Sequence, residues 1–169
     1  GPGFAFAIQE AFGRPLHSVF ASFGPAVAAA SIAQVHRAEV VTAGGIKPVA
    51  VKVLRPGVEP RFHGDLGAFM HLARRAEDLS PEARRLRLIE VVDTLRRSVT
   101  VEMDFRLEAA ALSEMAENTK DDPDFRVPAV DWDRTTKDVL TLEWIDATPL
   151  SDRARLVAKG FDLPRLGGD

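Results

Sequence analysis

The run Pro48-Val-Ala-Val-Lys-Val-Leu54 decides the fold prediction for this chain. Its β-branched residues alternate with other side chains and Arg55-Pro56-Gly57 ends it, which is typical of a β-strand. Strand alternation places the three valines on one face and Lys52 on the other. A lysine at the centre of such a strand is costly unless its ammonium is paired or reaches water. Lys52 is therefore either an edge residue with a solvated head or one half of an ion pair.

The residues before this strand predict a hairpin. Residues 26–41 are small or β-branched and lack helical caps, so we expect two strands there. An alanine turn, Ala28-Ala29-Ala30-Ser31, joins them, and the flexible turn 42–45 leads into the strand that carries Lys52. Closer to the N-terminus, an apolar helix over 4–12 and a second turn or helix over 15–20 are expected.

The middle of the chain has helical periodicity. Apolar residues at spacings of three and four predict a helix over 62–79. Ser80-Pro81-Glu82 begins another, with a serine N-cap and proline in the first turn, and its pattern runs through Leu95. The β-branched residues 99–101 predict a bend before a further helical block over 102–117.

The last third predicts two strands, 127–132 and 138–145, joined by a turn at 133–137. A short final helix begins at Ser151-Asp152 and ends at Gly160. Strands, then helices, then strands and a helix predict an α+β fold with a mostly antiparallel sheet packed on helices. Because no linker is recognisable, we expect residues 4–160 to form one structural unit.

Composition excludes several classes of protein. With 169 residues, 46% hydrophobic and 28% charged, the chain has the composition of one globular domain. A net charge of −3 excludes a strongly basic nucleic-acid-binding domain. Cysteine is absent, which excludes disulfides and thiolate metal sites and favours a reducing compartment. The histidines do not cluster as metal ligands, no Ser/His/Asp spacing is recognisable, and His36 is interpreted as structural.

A carboxylate partner for Lys52 is available further along the chain. Asp104 and Glu108 are four residues apart, so we expect them on one helix face at a cost of roughly 0.2–0.5 kcal/mol. A nearby cation removes that cost, and Lys52 is a suitable one. Glu102 would point about 200° away from Asp104 on a continuous helix, so a site using both requires a helix start or distortion near 102. A surface pair between Glu102 and Arg106 is the alternative.

The sequence Val49-Ala-Val-Lys52 is close to the Val-Ala-Ile-Lys of protein kinases, where the lysine contacts the α- and β-phosphates and pairs with a helical glutamate. Ala28 to Ser31 occupies the place of the glycine-rich phosphate loop. Alanine restricts the backbone angles that glycine permits there. By composition alone, an ordinary small-residue turn is the favoured interpretation of these four residues.

Together, five segments resemble the UbiB family of atypical kinases, the ABC1/ADCK-type proteins required for ubiquinone biosynthesis. The segments are 13–16, 28–38, 49–58, 102–110 and 140–145. The resemblance covers roughly residues 10–155, and it implies a protein kinase-like N-lobe with an antiparallel sheet, an αC-type helix and a helical insert over 55–101.

The resemblance also implies roles for individual residues. Ala28, Ala29, Ala30 and Ser31 resemble the alanine-rich loop that replaces the glycine-rich loop and alters nucleotide preference. Lys52 resembles the phosphate-contacting lysine, and Glu108 resembles its ion-pair partner on the αC-type helix.

Two further elements follow from the same resemblance. Glu102 and Asp104 resemble the regulatory Glu-x-Asp element, and Glu143 to Ile145 resembles the hinge whose backbone binds adenine. The Lys-x-Gly-Gln motif is expected upstream of residue 4. The catalytic-loop aspartate and asparagine and the metal-binding Asp-Phe-Gly are expected downstream of residue 160, so the Mg²⁺ ligands lie outside this stretch.

The implied function is binding of ATP or ADP with Mg²⁺ by an atypical kinase or ATPase that supports ubiquinone biosynthesis. The alternative is a non-catalytic nucleotide-gated module that engages isoprenoid-quinone intermediates, anionic lipid or other ubiquinone-biosynthesis proteins. An ordinary protein kinase is a third reading, which the alanine loop and the long insert disfavour. Seven arginines over 74–97 leave a local net charge of only +2, which indicates a solvated helical face before a lipid-binding patch.

The expected location is the cytoplasm of a bacterium. The alternative is association with a membrane. It would need parts outside this stretch, because the longest apolar run, 26–33, is far too short to span a bilayer.

Overall fold

The computed structural model describes residues 2–29 and 32–145. The elements in chain order are α1 (Pro2–Phe12), α2 (Leu16–Val19), β1 (Ser22–Ala29), β2 (Ala33–Thr42), β3 (Gly45–Leu54), α3 (Val58–Leu79), α4 (Pro81–Leu86), α5 (Leu88–Glu102), α6 (Phe105–Asn118), a 3₁₀ turn (Trp132–Arg134) and β4 (Val139–Glu143). The predicted α+β fold with an antiparallel sheet is confirmed. In this part of the chain, no helix is both long and apolar enough to cross a membrane.

The sheet has the strand order β1-β2-β3-β4, and all three neighbouring pairs are antiparallel. The predicted turn between β2 and β3 is confirmed, and Gly45 adopts a φ of 108°, which favours glycine. β3 is hydrogen-bonded on both sides, so Lys52 lies opposite Val35 of β2 and Leu140 of β4. Lys52 is thus on an inner strand and not at an edge.

The two faces of the sheet have separate apolar cores. On the first face, the valines of β3 pack beneath α1 and α2. The buried residues there are Ile8, Val19, Phe20, Ala38, Val40, Val49, Val51, Val53 and Val139. The second face carries α6, and its buried residues are Ala33, Leu54, Met103, Phe105, Ala109, Leu112 and Leu140. The alternation predicted for 48–54 is therefore confirmed.

Among the helices from α3 to α6, two of the three breaks lie at places that the sequence did not predict. The single helix expected from Ser80 through Leu95 is wrong, because Arg87 adopts a φ of 57° and separates α4 from α5. Glu77 of α3 stabilises this break. Its carboxylate accepts a hydrogen bond from the Ile89 amide at 2.8 Å, in the first turn of α5. A contact from another helix thus sets the start of α5.

The predicted bend over 99–101 is also wrong. α5 continues through Glu102, and the chain turns at Met103 and Asp104 before α6 begins. The predicted N-cap is confirmed, since the Ser80 hydroxyl accepts from the Ala83 amide at 3.3 Å.

The strand predicted over 127–132 does not form. A single bridge joins Val130 to Leu142, although the segment runs beside β4 and the Asp131 amide donates to the Thr141 carbonyl at 2.9 Å. Pro128 has no amide hydrogen, which prevents a regular ladder here. Within the predicted alanine turn, Ala28 and Ala29 belong to the end of β1, whereas residues 30 and 31 and the predicted helix over 151–160 lie outside the described residues.

Candidate functional site

The predicted ion pair between Lys52 and Glu108 is present. The Lys52 Nζ atom lies 2.9 Å from Glu108 Oε1, and the two side chains are 30% and 29% exposed. The same ammonium lies 5.1 Å from the centre of the Phe105 ring. Its charge is therefore held by a carboxylate and an aromatic face at the border of solvent, where it can still meet an anion.

The position of Glu108 follows from how α6 begins. Asp104 has extended backbone angles and caps the helix, because its Oδ1 atom accepts from the Arg106 amide at 3.1 Å. The Phe105 amide donates to the Lys137 carbonyl at 2.9 Å. Phe105 is buried in the second core, and Glu108 follows it in the first turn of the helix, above β3.

The prediction that Asp104 and Glu108 share one helix face is wrong, because Asp104 lies before the helix as its N-cap. Its carboxylate pairs with the Arg106 guanidinium at 2.7 Å. This hydrogen bond is the main reason that the pKa of Asp104 lies below its usual range. Glu102 is exposed at the end of α5. Arg106, which the alternative prediction paired with Glu102, donates to Asp104 instead.

Within the alanine stretch, Ala28 lies on the same face of the sheet as the ion pair, whereas Ala29 is opposite Gln34 and lies on the other face. Ala28 is opposite Val35, and Val35 is opposite Lys52, so the three form one cross-strand row. Directly opposite residues share a face, and two strand spacings amount to about 10 Å. Ala28 and Ala29 are exposed. Ala28 at the end of β1 is thus on the same face as Lys52, two strands away from it.

The segment predicted as a hinge is held by its own contacts. The Glu143 carboxylate pairs with Arg126 at 2.6 Å and accepts from the Ala129 amide at 3.2 Å. The Glu143 amide donates to the Ala129 carbonyl at 2.8 Å, and the Trp144 amide donates to Pro48 at 3.3 Å. An adenine contact by Glu143 therefore has to use its carbonyl. Ile145 is half-buried and is the last residue described before position 146.

Between the ion pair and this segment, the second face of the sheet is open and mostly apolar. Val35, Ala50 and Leu142 are half-buried there. The Arg37 guanidinium lies 5.5 Å from the centre of the Trp144 ring, close to this surface. Trp144 lies within the predicted hinge. Arg37 was not predicted as a site residue, although strand alternation places it on the same face of β2 as Val35.

His36 lies on the opposite face and is not part of the site. Its Nδ1 atom donates to the Gly24 carbonyl at 3.0 Å, and its ring packs against Phe4 and Phe23. Its Nε2 atom is buried, with no hydrogen-bond partner among the described residues. Burial lowers the pKa of His36, with a smaller opposing effect of its bond to Gly24. These contacts support the structural role predicted for this residue.

The described ranges, 2–29 and 32–145, hold no group of three or more histidine, cysteine, aspartate or glutamate side chains that could bind a metal ion. The donor set suited to Mg²⁺, several oxygen ligands in one place, is not assembled by these residues.

Comparison with known proteins places these features in a family context. Residues 5–168 match the model of the ABC1 atypical kinase-like domain. The chain is 39% identical over 160 residues to the "Probable protein kinase UbiB" of Azotobacter vinelandii, which covers 94% of this chain and 29% of the relative. It is 37% identical over 157 residues to the protein of the same name from Marinobacter nauticus, with 92% and 28% covered. A protein of that name from Pseudomonas aeruginosa is 39% identical over 160 residues, with 94% and 30% covered. The chain thus spans about three-tenths of the length of these curated relatives.

Proposed function

The chain belongs to the ABC1 atypical kinase-like family, among UbiB-type relatives, and on this premise we propose that it forms the ATP- or ADP-binding lobe of an atypical kinase or ATPase that supports ubiquinone biosynthesis. The relatives are named as probable protein kinases. Because the chain spans only part of their length, the reaction and the substrate of the whole protein are part of the proposal.

The observation that carries the proposal is the hydrogen bond between Lys52 and Glu108, with Ala28 in the same cross-strand row. A nucleotide di- or triphosphate needs a cation near its α- and β-phosphates, and Lys52 supplies one. Glu108 restricts the ammonium to one position, which lowers the entropy lost when a phosphate binds. The alanine loop at 28–31 would cover the phosphates from the β1 side.

The adenine would lie on the apolar surface between the ion pair and Glu143. Val35, Ala50 and Leu142 offer a flat, half-buried apolar patch, which suits a planar base. The carbonyl of Glu143 and the backbone of Ile145 are the groups proposed to give adenine its hydrogen bonds. The Glu143 amide is excluded from that role because it donates to Ala129.

Mg²⁺ is proposed as the accompanying ion, held by the phosphates and by ligands outside the described residues. When bound, Mg²⁺ would neutralise the charge of the phosphates. The part of this chain is to bind and orient the nucleotide through Lys52 and Glu108. Glu102 and Asp104 are proposed to regulate the site through the start of α6, where Asp104 is the helix cap.

Nucleotide titration of the purified chain tests the proposal. Calorimetry with ATP and with ADP, each with and without Mg²⁺, is compared for the wild type and Lys52→Met. The control is Lys47→Met, an exposed lysine at the far end of the same strand. We expect Lys52→Met to weaken ATP binding by about 10-fold to 100-fold, as for loss of a hydrogen bond to a charged group. Equal affinities for the two variants would contradict the proposed site.

A second candidate function is a nucleotide-gated module that acts without phosphoryl transfer. Large apolar side chains are exposed on α3 and α5, which suits an apolar partner such as an isoprenoid-quinone intermediate, a lipid surface or another biosynthetic protein. They are Phe69, Leu72, Leu79, Val91 and Leu95. Release of γ-phosphate by the full-length protein, with and without anionic lipid vesicles, separates the two candidates. Nucleotide binding without turnover under either condition favours the module.

A further inference from the structure

A charged cluster lies beside the start of α6 and is not part of the proposed nucleotide contacts. The Lys137 ammonium lies 2.5 Å from Glu59 Oε2, in the first turn of α3, and 3.0 Å from Asp138 Oδ1. Burial disfavours the charge of Lys137, but the hydrogen bonds and the negative charges of the two carboxylates together raise the pKa of the ammonium. One cation thus holds two carboxylates that come from different parts of the chain.

The backbone beside this cluster contacts the two elements that carry the ion pair, β3 and α6. The Lys137 carbonyl accepts from the Phe105 amide at 2.9 Å, where α6 begins. The Asp138 carbonyl accepts from the Leu54 amide at 3.0 Å, two residues beyond Lys52 on β3. Residues 137 and 138 therefore connect the strand that carries Lys52 to the helix that carries Glu108.

We propose that Lys137 is a positioning residue for the Lys52–Glu108 pair, which it acts on by fixing the start of α6 against β3 and α3. It touches neither member of the pair. The importance of this positioning for nucleotide binding rests on the proposed function, whereas the positioning itself does not.

The physical reason is the balance of charge around the cluster. Without the Lys137 ammonium, the carboxylates of Glu59 and Asp138 face each other across a partly buried gap and repel. Loss of the contact with Glu59 also allows α3, or the segment that precedes β4, to move away from the cluster. Either movement loosens the hydrogen bond between Lys137 and Phe105, and the displacement passes to Glu108 within one helical turn.

The first test measures the ion pair without any nucleotide. An ammonium that donates to a carboxylate is shielded from acylation, so the rate at which acetic anhydride modifies Lys52 reports whether the pair is closed. This rate is measured by peptide mass spectrometry for the wild type, Lys137→Met, Glu59→Gln and Glu108→Gln. The matched control is Lys120→Met, which removes an exposed lysine that pairs with Glu117 near the far end of α6.

We expect Lys137→Met to raise the acylation rate of Lys52 by about 2-fold to 10-fold, the lower part of the range of couplings between contacting residues. Glu59→Gln should raise it as well, because it weakens the contact between Lys137 and α3. Lys120→Met should leave the rate unchanged. All rates are taken well below the melting temperature of each variant, so a general loss of stability does not affect them. An unchanged rate in folded Lys137→Met overturns the proposal. If that variant does not fold, an unchanged rate in Glu59→Gln overturns it.

The second test is a double-mutant cycle on ATP affinity. If Lys137 acts through Glu108, Lys137→Met should weaken binding in the wild type and have no further effect in Glu108→Gln. If the double variant loses affinity for ATP by the product of the two single losses, the proposal is overturned. Faster acylation of Lys52 in a chain that binds no nucleotide supports the positioning role and contradicts the proposed function. If Lys52 in Lys137→Met is acylated at the wild-type rate while ATP binding still depends on Lys52, the proposed function is supported and the positioning role is contradicted.

Discussion

The Lys52 ammonium donates a 2.9 Å hydrogen bond to the Glu108 carboxylate across 56 residues of sequence. The residues between them form α3, α4 and α5 before the chain returns as α6 over β3. The interpretation of 55–101 as an insert within the lobe agrees with this path and stays a prediction. The pair joins the two ends of this helical segment, β3 and α6, so its geometry depends on how the segment is held against the sheet.

Loss of Glu108 should destabilise the chain by about 1 kcal/mol, the size expected for a charged hydrogen bond that remains in contact with water. The 29% exposure of the carboxylate keeps this below the 3–5 kcal/mol typical of fully buried pairs. Urea unfolding of Glu108→Ala is compared with Glu114→Ala, which removes an exposed carboxylate of the same helix. Equal stabilities for the two variants would show that the pair contributes nothing to folding.

The isolated chain should have no measurable phosphoryl transfer. Positioned metal ions and an aspartate that orients the nucleophile carry most of that chemistry, and the resemblance places those residues beyond residue 160. The measurement is release of phosphate from ATP with Mg²⁺ by the purified chain. Robust turnover that Lys52→Ala abolishes and Lys47→Ala does not would refute this expectation.

Replacement of Ala29 by glycine should change nucleotide selectivity more than stability. Glycine gives the end of β1 backbone angles that alanine disfavours, at a cost of roughly 0.5–1 kcal/mol. We expect the ratio of ATP to ADP affinity to shift in the full-length protein. Ala26→Gly is the control, because Ala26 is also exposed on β1 but lies further from the loop. A lower melting temperature with both affinities unchanged would mean that the alanines only pack.

The chain should lose stability as the pH falls below about 6.5, the ordinary pKa of histidine. Burial lowers the pKa of His36 in the folded state, so the unfolded chain takes up the proton first. The stabilising contribution is complete above pH 6.5 and is lost as the pH falls through the folded pKa. The melting temperature is measured from pH 7.5 to 5.5 for the wild type and His36→Asn, whose amide can still donate to Gly24.

A flatter pH profile is expected for His36→Asn. His71→Asn is the control, because His71 is exposed on α3. If the two variants and the wild type have the same profile, another group causes the pH dependence.

Asp104→Ala should cost about 1 kcal/mol, the usual effect of losing an N-cap. Asp104→Asn retains a cap and removes the charge that pairs with Arg106, so it should cost less at neutral pH. Because the hydrogen bond to Arg106 lowers the pKa of Asp104, its charge stabilises the fold above the ordinary aspartate pKa and is lost as the pH falls through the folded value. The difference in unfolding free energy between the wild type and Asp104→Asn, measured by urea unfolding across the titration, should therefore vanish in acid. A constant difference across the titration would contradict the role of the charge.

Local sequence was sufficient for the parts of the fold that neighbouring residues control. Alternation in 48–54 identified which face of β3 carries Lys52, and the glycines at 44 and 45 identified the turn before it. The serine N-cap at position 80 was equally predictable. In each of these cases, the interactions that decide the structure join residues only a few positions apart.

Long-range contacts decided the features that the sequence did not predict. Glu77 sets the start of α5 from another helix, Pro128 and β4 determine the path of 127–131, and Lys137 holds α3 beside the start of α6. Resemblance to a family suggested that Lys52 and Glu108 pair, but the row through Ala28 required strand register. These partners lie far apart in sequence and meet only when the sheet and helices pack, so no local pattern contains them.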